Sequence, residues 1–237
     1  MYDYKSGKGS IINILTTKTD VKKSNCIPKD EKNFNLSNAF LTDVGSIFID
    51  IKKSSILFDT KDEKLARLMR AFTSEIITIF QSFNKYRQIG IRGDCVYAIY
   101  EVQNVSDLLE IFNIAKVSNT FMKMFNKILK NYGYENIMAG IGLGFDKELI
   151  IKSGRKGTGV TDKIWIGKAV VDASNLSSIA NRDGVNPIAM SETFYNKISP
   201  NRIFSQYKNK IKFSKNYYHC DIKDVAFEKW IDNGMKG

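Results

Sequence analysis

Ile47-Phe-Ile-Asp-Ile51 is an apolar run broken only by Asp50 and bounded by Gly45 and Lys52. Such continuity predicts a strand over residues 46–51, buried on both faces, with Asp50 at its carboxyl end. Further on, Leu65, Leu68, Met69, Phe72, Ile76, Ile77, Phe80 and Phe83 recur at helical spacing, with Lys64, Arg67, Arg70 and Glu75 between them. This predicts an amphipathic helix over residues 61–83. A hairpin follows, residues 87–92 and 95–102, turning at Gly93-Asp94. Residues 105–131 carry a second apolar stripe (Leu108, Leu109, Ile111, Phe112, Ala115, then Phe121, Met122, Phe125, Ile128, Leu129), and Gly133 ends the helix.

The next strand, residues 136–145, alternates Gly140, Gly142 and Gly144, a pattern that signals close approach by a neighbouring backbone or a ligand. A short strand at 149–152 leads into the glycine-rich basic stretch Lys152-Ser-Gly-Arg-Lys-Gly-Thr-Gly159. It is not a phosphate-binding P-loop, because no Lys-Ser/Thr follows Gly159. Then come a strand at 163–166, a helix at 168–181, a strand at 187–190, a helix capped by Ser191 and an aromatic strand near 211–220. The order strand–helix–hairpin–helix–strand predicts an α+β fold with a ferredoxin-like βαββαβ core and a C-terminal strand/helix extension. The expected organisation is a polar lead-in at 1–40 with a short strand at 10–15, one domain at 41–221, and a tail at 222–237.

Composition narrows the chemistry. With 237 residues, 43% hydrophobic, the chain can bury one large core. No apolar run is long enough to cross a bilayer, and the polar start is not a signal peptide. Cys26, Cys95 and Cys220 are scattered without metal-ligand spacing, so a reduced, cytoplasmic setting is expected. With His219 as the single histidine, a zinc site or a Ser-His-Asp triad is not expected. The net charge of +11 suits polyanionic partners, from nucleic acid to small polyphosphates.

Asp50 and Asp94 carry the strongest chemical signal. If their strands are neighbours the two carboxylates converge, and converging carboxylates favour a divalent cation between them. Either one alone also suits a turn or a cap.

These residues resemble a class III nucleotidyl cyclase, the adenylate/guanylate cyclase homology domain. Phe48-Ile-Asp50-Ile51 is similar to that family's first metal-binding strand, and Gly93-Asp94 to its second metal aspartate. Gly167-Lys-Ala-Val-Val-Asp-Ala-Ser-Asn-Leu176 is similar to the helix after the base-recognition strand. The resemblance spans residues 45–199. Within the family, residues 150–159 and Trp165-Ile-Gly167 look most like the Pycsar pyrimidine cyclases of bacterial anti-phage defence, which make cyclic UMP or cyclic CMP to trigger an effector protein.

The resemblance implies two Mg²⁺ or Mn²⁺ ions on Asp50 and Asp94, with Ile51, Lys53 and Ser54 near the phosphates. It implies UTP or CTP as substrate, cyclic UMP slightly favoured, and a separate effector protein. It also implies a head-to-tail homodimer whose sites are shared between chains, with no membrane and no nucleic-acid partner. The chain departs from the purine cyclases at both base-reading positions, which are Gly90 and Ile164 here. Arg92, on the strand face of Gly90, is a candidate for a base carbonyl or a phosphate, or is an ordinary ion-paired residue. The family's ribose-orienting Asn falls on Val171 and its transition-state Arg on Asn175. Candidates to stabilise the charge at the α-phosphate in their place are Lys152, Arg155 and Lys156 of the glycine-rich stretch, with Asn175 contributing a hydrogen bond, or the stretch is an ordinary basic surface turn. A purine cyclase, a catalytically degenerate nucleotide-binding dimer and a polymerase-palm protein remain the alternatives.

Overall fold

The structure is a computed structural model describing residues 1–52, 62–155 and 158–236. Lys53, Ser54 and Lys156 lie outside the described residues. In chain order the elements are α1 (Tyr4–Thr16), β1 (Asp20–Lys23), β2 (Asn38–Ile51), α2 (Glu63–Gln81), β3 (Tyr86–Arg92), β4 (Cys95–Glu101), α3 (Val105–Asn131), β5 (Ala139–Gly154), β6 (Thr161–Ile166), α4 (Lys168–Ile179), β7 (Ile188–Ser191), α5 (Glu192–Ile198), α6 (Arg202–Ser205), β8 (Lys212–Ser214), β9 (Tyr217–Cys220) and α7 (Val225–Asp232).

Among the described residues all strands join one sheet in the order β3-β4-β2-β5-β7-β9-β8, with β1 on β2 and β6 on β5. The run β2-α2-β3-β4-α3-β5 is the expected βαββαβ plan. On one face, Ile47, Ile49, Ile51, Val96, Ala98 and Tyr100 pack against Leu68, Phe72, Ile76 and Phe80 of α2 and Leu108, Ile111, Phe112 and Phe121 of α3. Strand alternation sends Ser46, Phe48 and Asp50 to the other face, where α4 lies. Each helix starts where its sequence supplies acceptors. Asp62 caps α2, and Asn104 with Asp107 forms a capping box on α3.

Four expectations are corrected. Residues 10–15 are not a strand but part of α1, where Asp3 accepts from the Lys5 and Ser6 amides. No residue of α1 is buried, so the segment satisfies its backbone within a helix rather than at a sheet edge. The strands at 136–145 and 149–152 are one, because Asp146 and Lys147 stay in register with Val44 and Asp43 instead of forming a break. β2 likewise starts at Asn38, so the 40/41 boundary falls inside it; the preceding segment puts Ile27 and Phe34 against Phe40, Val44, Ile99 and Ile150. Residues 211–220 form a hairpin, turning at Lys215 with φ of +54°, and the tail holds α7. Lys123 of α3 bridges Glu228 at 3.0 Å and Asp232 at 2.8 Å, and Ile231 is buried beneath. Among the described residues no helix is long and apolar enough to cross a membrane.

Candidate active site

Asp50 ends the central strand. It faces Cys95 of β4 on one side and Gly140 of β5 on the other. Asp94 precedes Cys95 in the hairpin turn, where Gly93 takes the left-handed φ of +62° that only glycine adopts freely. Asp94 thus sits in the turn beside the residue that pairs with Asp50, at the end of the neighbouring strand, and adjacent strands run about 5 Å apart. Their charges act on one another. Burial pushes the Asp50 carboxyl above its usual range, the charge of Asp94 pushes it further, and Arg182 pulls it back. Burial and the same two aspartates drive the neighbouring Cys95 thiol up to about 12, so it is neutral at physiological pH.

Arg182 donates from Nη2 to Asp50 Oδ2 at 2.9 Å, across 132 residues of chain. It reaches this spot because α4 lies directly on the glycine stripe of β5. A Cβ on Gly140 would meet the carbonyl oxygens of Ser177 and Ala180; on Gly142, that of Ala173; on Gly144, that of Ala169. The expected close approach is thus made by a helix backbone. The N-terminus of α4 is fixed by Glu148, whose buried Oε1 accepts from the Ala169 amide at 2.8 Å, while Ser46 Oγ donates to the Ala169 carbonyl. Gly167, the helix N-cap, supplies no side chain, and a Cβ there would strike the Glu148 carboxylate.

The space over Gly90 is taken by the end of the Tyr97 side chain: an added Cβ would lie 2.6 Å from its ring and hydroxyl, so the ring would have to shift to admit one. Tyr97 stacks on Phe48 with centroids 5.0 Å apart. Its hydroxyl accepts from Gln88 Nε2 at 3.2 Å, and Gln88 Oε1 accepts from Trp165 Nε1 at 2.5 Å. Arg92 pairs in register with Cys95 and its charge opposes the upward shift of both Cys95 and Tyr97, so it lies on the Asp50 side of the hairpin.

The remaining candidates do not converge on Asp50 within one chain. Ile51 is buried in the core, so only its backbone can serve the site. Lys152 is in β5, next to Ile151, which pairs with Ala39. Ala39 is eleven residues from Asp50 along β2, about 36 Å at the strand rise. Asn175 and Val171 are exposed on α4, pointing away from the glycine stripe. Asn175 lines a cavity of about 390 Å³ with Lys168, Asp172, Glu192 and Tyr217. Among the described residues no cluster of three or more His, Cys, Asp or Glu side chains is placed to hold a metal. Sequence reading missed Arg182, Gln88 and Tyr97. For Arg182 the one signal was the turn-forming Asn181-Arg-Asp-Gly184, which marks a reversal but not the strand it returns to.

No protein-family model matches the chain. A uridylate cyclase from Treponema porcinum is 44% identical over 236 residues, covering 99% of this chain and 82% of that protein. A second uridylate cyclase, from Gulbenkiania mobilis, is 31% identical over 77% of this chain and 73% of its own length. The chain belongs to the uridylate cyclase family. It is a nucleotide cyclase, and its fold is that of the class III enzymes. The crystal structure of the adenylyl cyclase CyaB from P. aeruginosa superimposes with a TM-score of 0.61 at 18% identity, over 77% of this chain and 95% of that one.

Proposed function

We propose that the protein converts UTP to 3′,5′-cyclic UMP and pyrophosphate, with CTP as the alternative pyrimidine substrate. The observation that carries this reading is the placement of Asp94 in the turn beside the Cys95 partner of Asp50, where the two charges oppose one another, in a chain 44% identical to a uridylate cyclase. In the reaction the 3′-oxygen bonds to the α-phosphorus, the bond to the β-phosphate oxygen breaks, and the hydroxyl proton leaves. Asp50, Asp94 and the Ile51 carbonyl would hold two Mg²⁺ or Mn²⁺ ions. The donor set fits, since hard cations take few carboxylates and complete their shells with water and phosphate oxygens. Such ions, when bound, favour ionisation of the 3′-hydroxyl and neutralise the triphosphate.

The chain's own residues set the rest. Tyr97 closes over Gly90 and fills the space where a purine-reading side chain would stand, which supports a pyrimidine. Arg92 supplies positive charge on the same face. Lys152, twelve residues along β5 from the Gly140 that pairs with Asp50 and so about 40 Å away along the sheet, serves the partner's site, and so does the exposed Asn175, in a homodimer with shared active sites. Lys156, Lys53 and Ser54 keep their proposed roles at the phosphates. The cyclic nucleotide is then read by a separate effector protein in anti-phage defence, the role that the resemblance to the Pycsar enzymes assigns; a protein without effect on phage growth would remove that role.

Asp50→Asn and Asp94→Asn each lower cyclic-nucleotide formation by at least about 100-fold, with circular dichroism and melting temperature retained. Full activity in either variant refutes the metal assignment. Sedimentation of the active protein gives a dimer; a fully active monomer refutes the shared site.

A further inference from the structure

We propose that Arg182 is the triphosphate-binding arginine of this site, parked on Asp50 until a divalent cation takes that carboxylate. The inference rests on the metal reading of Asp50 given above. Arg182 is a cation already seated where the metal reading requires cations, with Nη2 2.9 Å from Asp50 Oδ2. The pair is incomplete. Among the described residues, Arg182 Nε is buried with no hydrogen-bond partner. A buried donor left unpaired calls for a missing acceptor. The guanidinium fork matches the geometry of a phosphate, so one anion accepts from Nε and a terminal nitrogen together.

The loop that presents Arg182 is fixed rather than loose. Asn181 and Asp183, on either side of it, both take left-handed φ values of +58° and +46°. Asn181 Nδ2 donates to the Ala139 carbonyl at 3.1 Å, Lys52 Nζ donates to the Asn181 carbonyl at 2.8 Å, and the Val185 amide donates to the Arg182 carbonyl at 2.8 Å. Strained non-glycine backbone persists where its surroundings over-determine it. The outcome is an arginine aimed at the end of β2, beside Lys52, in a position to change partner by side-chain rotation alone. A divalent cation on Asp50 removes the carboxylate from Arg182. The freed guanidinium then meets the polyphosphate that the same cation draws in.

Two effects of opposite sign follow when Arg182 is removed. Titration of the full-length protein with Mn²⁺ alone, followed by electron paramagnetic resonance, shows roughly five-fold or more tighter binding in Arg182→Ala than in wild type, since the competing cation is gone. Calorimetry with inorganic triphosphate at saturating Mn²⁺ shows at least about ten-fold weaker binding in the same variant. Arg182→Lys, which keeps the charge and loses the fork, restores the Mn²⁺ affinity towards wild type and recovers only part of the triphosphate affinity. A merely structural arginine would weaken both ligands together. Mn²⁺ binding that depends on Asp50 but is unchanged or weaker in Arg182→Ala overturns the role of Arg182 while leaving the metal reading standing. Mn²⁺ binding that is equal in wild type and Asp50→Asn removes both.

Discussion

A half-buried aspartate and a buried histidine show how local surroundings set charge. At Asp50 the strand that ends in a carboxylate also buries it, and Arg182 is the local remedy. At His219 the protein chooses the neutral ring. Nδ1 accepts from the Asn186 amide at 2.9 Å, the side chain is 5% exposed, and burial together with the facing Lys212 lowers its pKa from 6.5. Because the folded state prefers the neutral form, the unfolded chain takes the proton first as pH falls. This contribution is therefore whole above pH 6.5 and is lost as pH falls below it. The melting temperature of wild type falls more steeply from pH 7 to pH 5 than that of His219→Gln, although the variant starts lower for want of its acceptor. Equal slopes would contradict the buried neutral histidine. At this scale the sequence showed Asp50 and Asp94 because each interrupts a β-prone apolar run. It did not show Arg182, since the contact closes over 132 residues and depends on how deeply α4 sits on β5.

Among the elements, α4 against β5 decides the site. The helix can descend onto the sheet because three alternate residues of β5 have no side chain, and its descent carries Arg182 to Asp50. Gly142→Ala would place a Cβ 2.0 Å from the Ala173 carbonyl oxygen and 2.4 Å from the Ser177 amide nitrogen, with backbone on both sides. Neither side can yield as a side chain would, so the substitution costs at least about 2 kcal/mol and lowers the melting temperature by about 4–8 °C. Gly9→Ala, in α1 with nothing within 4 Å, lowers it not at all. Equal melting temperatures for Gly142→Ala and wild type would mean that α4 does not rest on the stripe. The glycine pattern was legible as close approach; which partner approaches was not, because alternation reports one face and not its occupant. Likewise α3 could be read to the residue, since its stripe and caps agree, whereas the polar Asp146-Lys147 pair hid the continuity of β5.

On the scale of the whole molecule, the acidic pair at one end of the β2–β5 ladder and Lys152 at the other belong to different sites unless two chains meet. The order of strands and helices was readable because each element has a period of its own. The surroundings of exposed residues such as Val171 and Asn175 were not, because an exposed helix position carries no periodic signal of what it faces. The most direct measurement of the account is a competition. The purified protein receives equal concentrations of UTP, CTP, ATP and GTP with Mn²⁺, and the cyclic products and pyrophosphate are identified by mass spectrometry. Cyclic UMP is the main product, with pyrophosphate in equal amount and cyclic CMP second. A purine cyclic nucleotide as the main product, or pyrophosphate without any cyclic nucleotide, would contradict it.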